Sequence, residues 1–191
     1  MKATIQLVIF IILSTVFTGC GSAPGWTTRY KAIDLAQFAD FDCRMNETGA
    51  GSLRIISVED IKECYFKDTS RITWLLFVHL DCKKSVWQEF ELYKQYSDHI
   101  NFIIVNDDFN KSTVKNEMDK ISHPIYFIDP AYCNYRTRNT RLFIKALFND
   151  EVARDFSSNF IAHRGEILEM TWDVDEEMLE KAIRKVVHSN E

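Results

Sequence analysis

Apolar and polar positions along the chain change their period several times, and each change marks an element. Ser57-Val58-Glu59-Asp60 sets a hydroxyl three residues before an acid, as in a capping box, and predicts a short helix through Ile61, Cys64 and Tyr65 that Asp68-Thr69-Ser70 breaks. Ile72 to Leu80 is apolar almost without alternation, as expected of a strand covered on both faces of a parallel sheet, and is the expected central strand. Val86, Phe90, Tyr93 and Tyr96 then recur at helical spacing, predicting a helix over about residues 83 to 97. Ile100 to Val105 is a second buried strand, Val114, Met118 and Ile121 mark a second helix, and Ile125 to Ile128 is a third strand stopped by Asp129-Pro130. Leu142, Phe143, Leu147 and Phe148 predict a third helix over about Thr140 to Val152. Asn159 to His163 and Glu166 to Trp172 flank Arg164-Gly165 as a hairpin whose glycine supplies positive φ. A last helix carries Met178, Leu179, Ala182, Ile183, Val186 and Val187 on one face, started by Asp173 or Asp175. The order βαβαβαββα predicts an α/β domain with a mostly parallel sheet and an antiparallel hairpin at one edge.

The amino-terminal quarter follows no such period. Residues 26 to 54 are irregular, and Met45 to Ser52, with its two glycines and small polar residues, reads as a loop. Before it, Lys2 precedes an apolar run from Ile5 to Phe17, broken only by Gln6, Ser14 and Thr15 and short for a membrane span. The run ends in Phe17-Thr18-Gly19-Cys20, which resembles the lipobox of bacterial lipoprotein signals, with Phe17 in place of the usual aliphatic residue. That resemblance implies removal of residues 1 to 19, a lipid on Cys20, and a flexible tether from Gly21 to Gly25. The expected divisions are then a signal peptide (1–19), a lipid-anchored tether with an irregular leading segment (20–54) and a folded domain (55–191). The expected location is the cell envelope, facing the periplasm, with the outer membrane favoured because Gly21 stands where an inner-membrane retention signal has Asp.

Composition narrows the function classes. The 46% hydrophobic content is ordinary for a packed domain, and a net charge of -5 without a cluster of Lys and Arg argues against nucleic acid as a partner. An exported location makes disulfides persistent, and the domain holds Cys43, Cys64, Cys82 and Cys133, which allow three full pairings. Cys43 and Cys64 are expected to be structural, as a bridge pinning the leading segment to the domain. The acidic stretch Asp173 to Glu177 reads as helix-start acid, and no metal or cofactor site is expected. Trp74, Trp87 and Trp172 are expected in or near the core.

Over about residues 55 to 188 the chain resembles the thioredoxin-like superfamily, in particular the redoxin branch of TlpA-like and ResA-like envelope proteins. The match lies in four places: Leu80-Asp81-Cys82-Lys83-Lys84-Ser85 after the central strand, Val105-Asn106-Asp107-Asp108 closing the next strand, the extra strand and helix from Pro124 to Val152, and Asn159 to Ile167 before the last helix. The resemblance implies a three-layer α/β/α sandwich with a redoxin-type βα insertion. It also implies a thiol nucleophile at Cys82, partnered by protein or peptide thiols and disulfides of the envelope. Ser85 stands where a dithiol enzyme has its second cysteine, so the implied site is a monothiol one, with Ser85 as hydrogen-bond donor to the sulfur and Cys133 as a possible resolving thiol. Ser157-Ser158 occupies the place of the family's cis-proline, in the loop that faces the substrate. Peroxiredoxin chemistry does not fit Leu75 and His79, nor Sco-type copper delivery Val86. Read from the residues alone, a cysteine at a helix start, beside Lys83 and Lys84 and opposed by Asp81, is a candidate thiolate. His79 is a possible base or ligand, or simply part of the packing. The competing expectation is a binding module that keeps the fold without the catalysis.

Overall fold

The computed structural model describes Phe38, Phe41, Cys43 and residues 53–80, 86–107, 110–129, 136–155 and 157–187. A six-stranded sheet organises them, in the order β1-β4-β3-β2-β5-β6. Its strands are β1 (Arg54–Ile56), β2 (Ile72–Val78), β3 (Ile100–Asn106), β4 (Ile125–Ile128), β5 (Asn159–His163) and β6 (Glu166–Thr171). β1, β4, β3 and β2 run parallel, whereas β5 lies antiparallel to β2 and β6 antiparallel to β5. Every residue of β2 is buried, as the unbroken apolar run requires of a strand with neighbours on both sides and helices over both faces.

The helices are α1 (Val58–Ile61, continued by a π-helical turn over Lys62–Phe66), α2 (Trp87–Gln95), α3 (Lys111–Ile121), α4 (Arg136–Leu147), α5 (Asp150–Arg154) and α6 (Glu176–Val187). Strand alternation sends Trp74, Leu76 and Val78 to one face of β2, where they meet Phe90 of α2, Val114 and Met118 of α3, and Leu179 and Ala182 of α6. Leu75 and Phe77 point to the other face and meet Ile61 of α1, Phe143 and Ile144 of α4, and Ala153 of α5. The result is the three-layer α/β/α sandwich, mostly parallel with a carboxyl-terminal hairpin, that the thioredoxin-like resemblance implies.

The capping box at Ser57 is present in both directions, with Ser57 Oγ accepting from Asp60 N at 3.1 Å and Asp60 Oδ2 accepting from Ser57 N at 2.8 Å. Asp175 rather than Asp173 starts α6, its Oδ1 accepting from Met178 N at 2.8 Å. Other features differ from the sequence expectations. β1 is an added strand, too short at three residues for any period to announce it, and it forms an edge by pairing with β4. The single helix expected over Thr140 to Val152 is two, because Asn149 is extended and its side chain caps a new start by accepting from Val152 N at 3.0 Å. The hairpin turn has the expected positive φ at Gly165, 83°, and Arg164 before it shares it at 54°. Trp74 is fully buried, but Trp87 (47% exposed) and Trp172 (64% exposed) are not core residues. Trp87 lies on the outward side of the first turn of α2, with Lys94 Nζ over its ring at 5.5 Å, and Trp172 follows the half-exposed edge strand β6.

The leading segment reaches the fold on its α1/α4 side and at β4. Phe41 packs on Tyr126 at 5.5 Å, Phe38 meets Phe127 edge-on at 5.3 Å, and Cys43 is bonded to Cys64 with Cα atoms 5.5 Å apart.

Candidate functional site at the carboxyl edge of the sheet

Strand direction brings the ends of three strands and the start of a fourth to one edge. Val78 at the end of β2 is in register with Asn106 at the end of β3, and Asn106 with Phe127 of β4, so the chain leaves all three strands on the same side. The segment holding Cys82 and Ser85 follows β2, and that holding Cys133 follows β4. Because β5 is antiparallel, its leading residues Ser157 and Ser158 lie at this edge too, with Ser158 O accepting from Phe77 N at 2.7 Å. Cys82, Ser85, Cys133 and the lipid-bearing candidate Cys20 lie outside the described residues.

The residues around them show how this edge is held. β2 ends at Val78, earlier than the apolar run, because the next residues turn to the end of β3: Asp107 N donates to Val78 O at 3.0 Å and Leu80 N to the buried Asn106 Oδ1 at 3.3 Å. His79 Nδ1 lies 3.1 Å from Asp107 Oδ1, with both side chains about one-fifth exposed (21% and 20%). A carboxylate only accepts, so the imidazole donates from Nδ1–H. His79 is therefore a hydrogen-bonding residue at the rim of the sheet.

Helix α2 begins at Trp87, and Val86 before it is not helical. Moreover, the Val86 N–H already donates to Glu117 Oε1 of α3 at 2.8 Å, a carboxylate only 3% exposed that also pairs with Lys120 at 3.0 Å. The amino end of α2 is thus already served by a carboxylate, a contact across two helices that no local pattern announces.

Where the resemblance places a cis-proline, the chain has a buried polar bracket. Asn159, 1% exposed, accepts from Trp74 Nε1 at 2.9 Å and donates from Nδ2 to Trp172 O at 2.9 Å and Ser158 Oγ at 3.0 Å. Ser157 Oγ donates to Asn159 O at 3.2 Å and Ser158 Oγ to Trp172 O at 2.9 Å, so both hydroxyls are engaged within the chain. Among the described residues no peptide bond is cis, and no group of His, Cys, Asp and Glu is arranged to hold a metal ion. Asn139, fully buried on α4, donates to Asp129 O at 3.2 Å at the point where the chain leaves β4.

No family profile matches the chain, and no curated protein matches it. Among solved structures it is similar to one described as the solution structure of a thioredoxin-like protein in the oxidized form, with 21% identity and a TM-score of 0.43, over 68% of this chain and 85% of that one.

Proposed function

We propose that this chain is a lipid-anchored thioredoxin-like protein of the bacterial envelope that carries out monothiol thiol–disulfide exchange through Cys82, with Ser85 as hydrogen-bond donor to the sulfur. The observation that carries the reading is the convergence at one sheet edge of the chain leaving β2 toward Cys82 and the Ser157-Ser158 segment before β5. In this reading the Cys82 thiolate attacks a disulfide of a protein or peptide, and Cys133, beyond the parallel strand β4, is the thiol available to resolve the adduct. The lipid sits on Cys20 and the domain faces the periplasm, at the outer membrane. Reaction of Cys82 with a disulfide reagent tests the chemistry: at neutral pH it should outpace a free cysteine, and an equal or slower rate overturns it. Labelling with a radioactive fatty acid, lost on Cys20→Ser, tests the anchor.

A second reading, a non-catalytic binding module, draws on a specific observation. The loop that grips substrate in the resembled family is here fixed from inside by Asn159 and Trp74, beside the exposed Trp172. Under this reading Cys82→Ser leaves partner capture unchanged, whereas under the first it abolishes the mixed disulfide trapped in cells.

A further inference from the structure

The solvent side of α4 is charged in one sense only. Arg136–Leu147 holds four cations and no acid, in a chain with more acids than bases. The other long helices mix the signs, with Glu89, Glu91 and Lys94 on α2, Lys115, Glu117 and Asp119 on α3, and Glu180, Lys181 and Arg184 on α6. Arg138, Arg141 and Lys145 are exposed and recur at i, i+3 and i+7, so at 3.6 residues per turn they stand in one ridge. Phe143 and Leu147, buried residues of the same helix, lie on the opposite side. Dispersed along the sequence, these cations form no run; the helix collects them. Among the described residues Arg138 and Arg141 pair with no carboxylate, whereas Lys145 shares its charge with Asp150 at 2.8 Å. Acids on the flanking elements are Glu59, Asp60 and Glu63 on α1 and its π-helical turn, the last paired with Lys67, and Asp150 and Glu151 on α5.

The leading segment joins the fold beside this ridge. Cys43 is bonded to Cys64 on the turn after α1, and Lys62 of that turn donates from Nζ to Ala146 O of α4 at 2.9 Å. Lys62 thereby adds an exposed cation near the carboxyl end of α4. From these two placements we infer that the α4 ridge is the face of the domain that rests on the acidic headgroups of the membrane, with α2, α3 and α6 on the side away from it. Nearness to that surface comes from the lipid anchor proposed above, on which this orientation rests. Phe38, which packs on Phe127, stands 18 positions after Cys20, a span of up to about 65 Å, and a chain of that length fixes no orientation by itself. An acyl anchor and a basic patch together hold a protein at a membrane more firmly than either alone, and each cation at an acidic surface raises partitioning about fivefold. Arg138 and Arg141 together therefore favour the ridge-down orientation about 25-fold.

The test is arginine modification by phenylglyoxal, read residue by residue by peptide mass spectrometry, on the full chain with vesicles of phosphatidylcholine with and without phosphatidylglycerol. Arg138 and Arg141 should react about fivefold more slowly or more with the acidic vesicles, high salt should restore the rate, and Arg184 on α6 should be unaffected. Equal rates for Arg138 and Arg141 with the two vesicles overturn the inference, as does equal slowing of Arg184. Slowing by soluble polyglutamate but not by acidic vesicles overturns it too, in favour of an acidic protein partner. Flotation on the neutral vesicles reads the anchor separately: a chain that floats there while α4 stays unprotected by acidic vesicles sinks this orientation alone. One that fails to float but is protected at α4 by acidic vesicles sinks the anchor alone, and failure of both removes both.

Discussion

The two faces of the sheet are secured by different chemistry. On the face covered by α2, α3 and α6, polar groups are satisfied one by one: the buried Asn159 with Trp74 Nε1, the buried Glu117 with Val86 N, and the part-buried His123 Nε2 with Phe102 O at 3.1 Å. On the face covered by α1, α4 and α5, two of them short, the helices are supplemented by a covalent tie, Cys43 to Cys64, and by Phe41 of the leading segment. A face sealed by buried hydrogen bonds is sensitive to isosteric substitution and to pH, whereas a face sealed by a cross-link is sensitive to reductant.

The sharpest way to break the first face is Asn159→Leu, which leaves Trp74 Nε1 without its buried acceptor, whereas Trp172 O keeps the Ser158 hydroxyl. Urea unfolding should show a loss of about 3 kcal/mol, the upper end of the about 1–3 kcal/mol that one orphaned buried group costs. On the second face, Cys43→Ser opens a bridge across a sequence separation of 21 and should lower stability by about 3 kcal/mol in the same assay, an effect that reductant reproduces in the native chain and not in the variant.

Acidification distinguishes the faces without mutation. Desolvation pushes the His123 ring from 6.5 down to about 4, against the opposing effect of its bond to the Phe102 carbonyl. Above pH 6.5 the ring is neutral in both states; as pH falls from 6.5 toward 4 only the unfolded chain takes up the proton, so stability drops through that window and levels off below it. Unfolding at pH 7 and pH 4.5 should differ by about 2–3 kcal/mol from this group, and His123→Leu should remove that part of the slope. Glu117→Ala should lower stability by about 2 kcal/mol, because it orphans the Val86 N–H beneath the α2 start. The smallest effect is expected at Gly165→Ala, about 1–2 kcal/mol in thermal unfolding: φ is 83° there, and a Cβ would stand 3.1 Å from the Phe66 ring.

Much of this architecture is legible from local pattern. The apolar run of β2, the helical spacing of α3 and α6, the capping box at Ser57 and the Arg164-Gly165 turn all depend on neighbours in sequence, and the structure contains each of them. β1 was not legible, since three residues carry no period, and its partner β4 lies far along the chain. The break at Asn149 had a local signal, an Asn followed by two acids, but the apolar spacing across it concealed the cap. Near the candidate site, the pairing of His79 with Asp107 and of Val86 with Glu117 joins residues 28 and 31 positions apart, beyond the reach of any local pattern.

By itself the sequence determined the layer architecture, the parallel core strands and the closing hairpin, because hydrophobic period and turn chemistry act over a few residues. Only the tertiary structure decided which polar groups meet: that Glu117 occupies the amino end of α2, that Asn159 brackets the loop before β5, and that Asp107 orients His79. Hydrogen bonds need partners within about 3 Å, and for these groups the partner is supplied by an adjacent strand or helix whose position the fold alone sets.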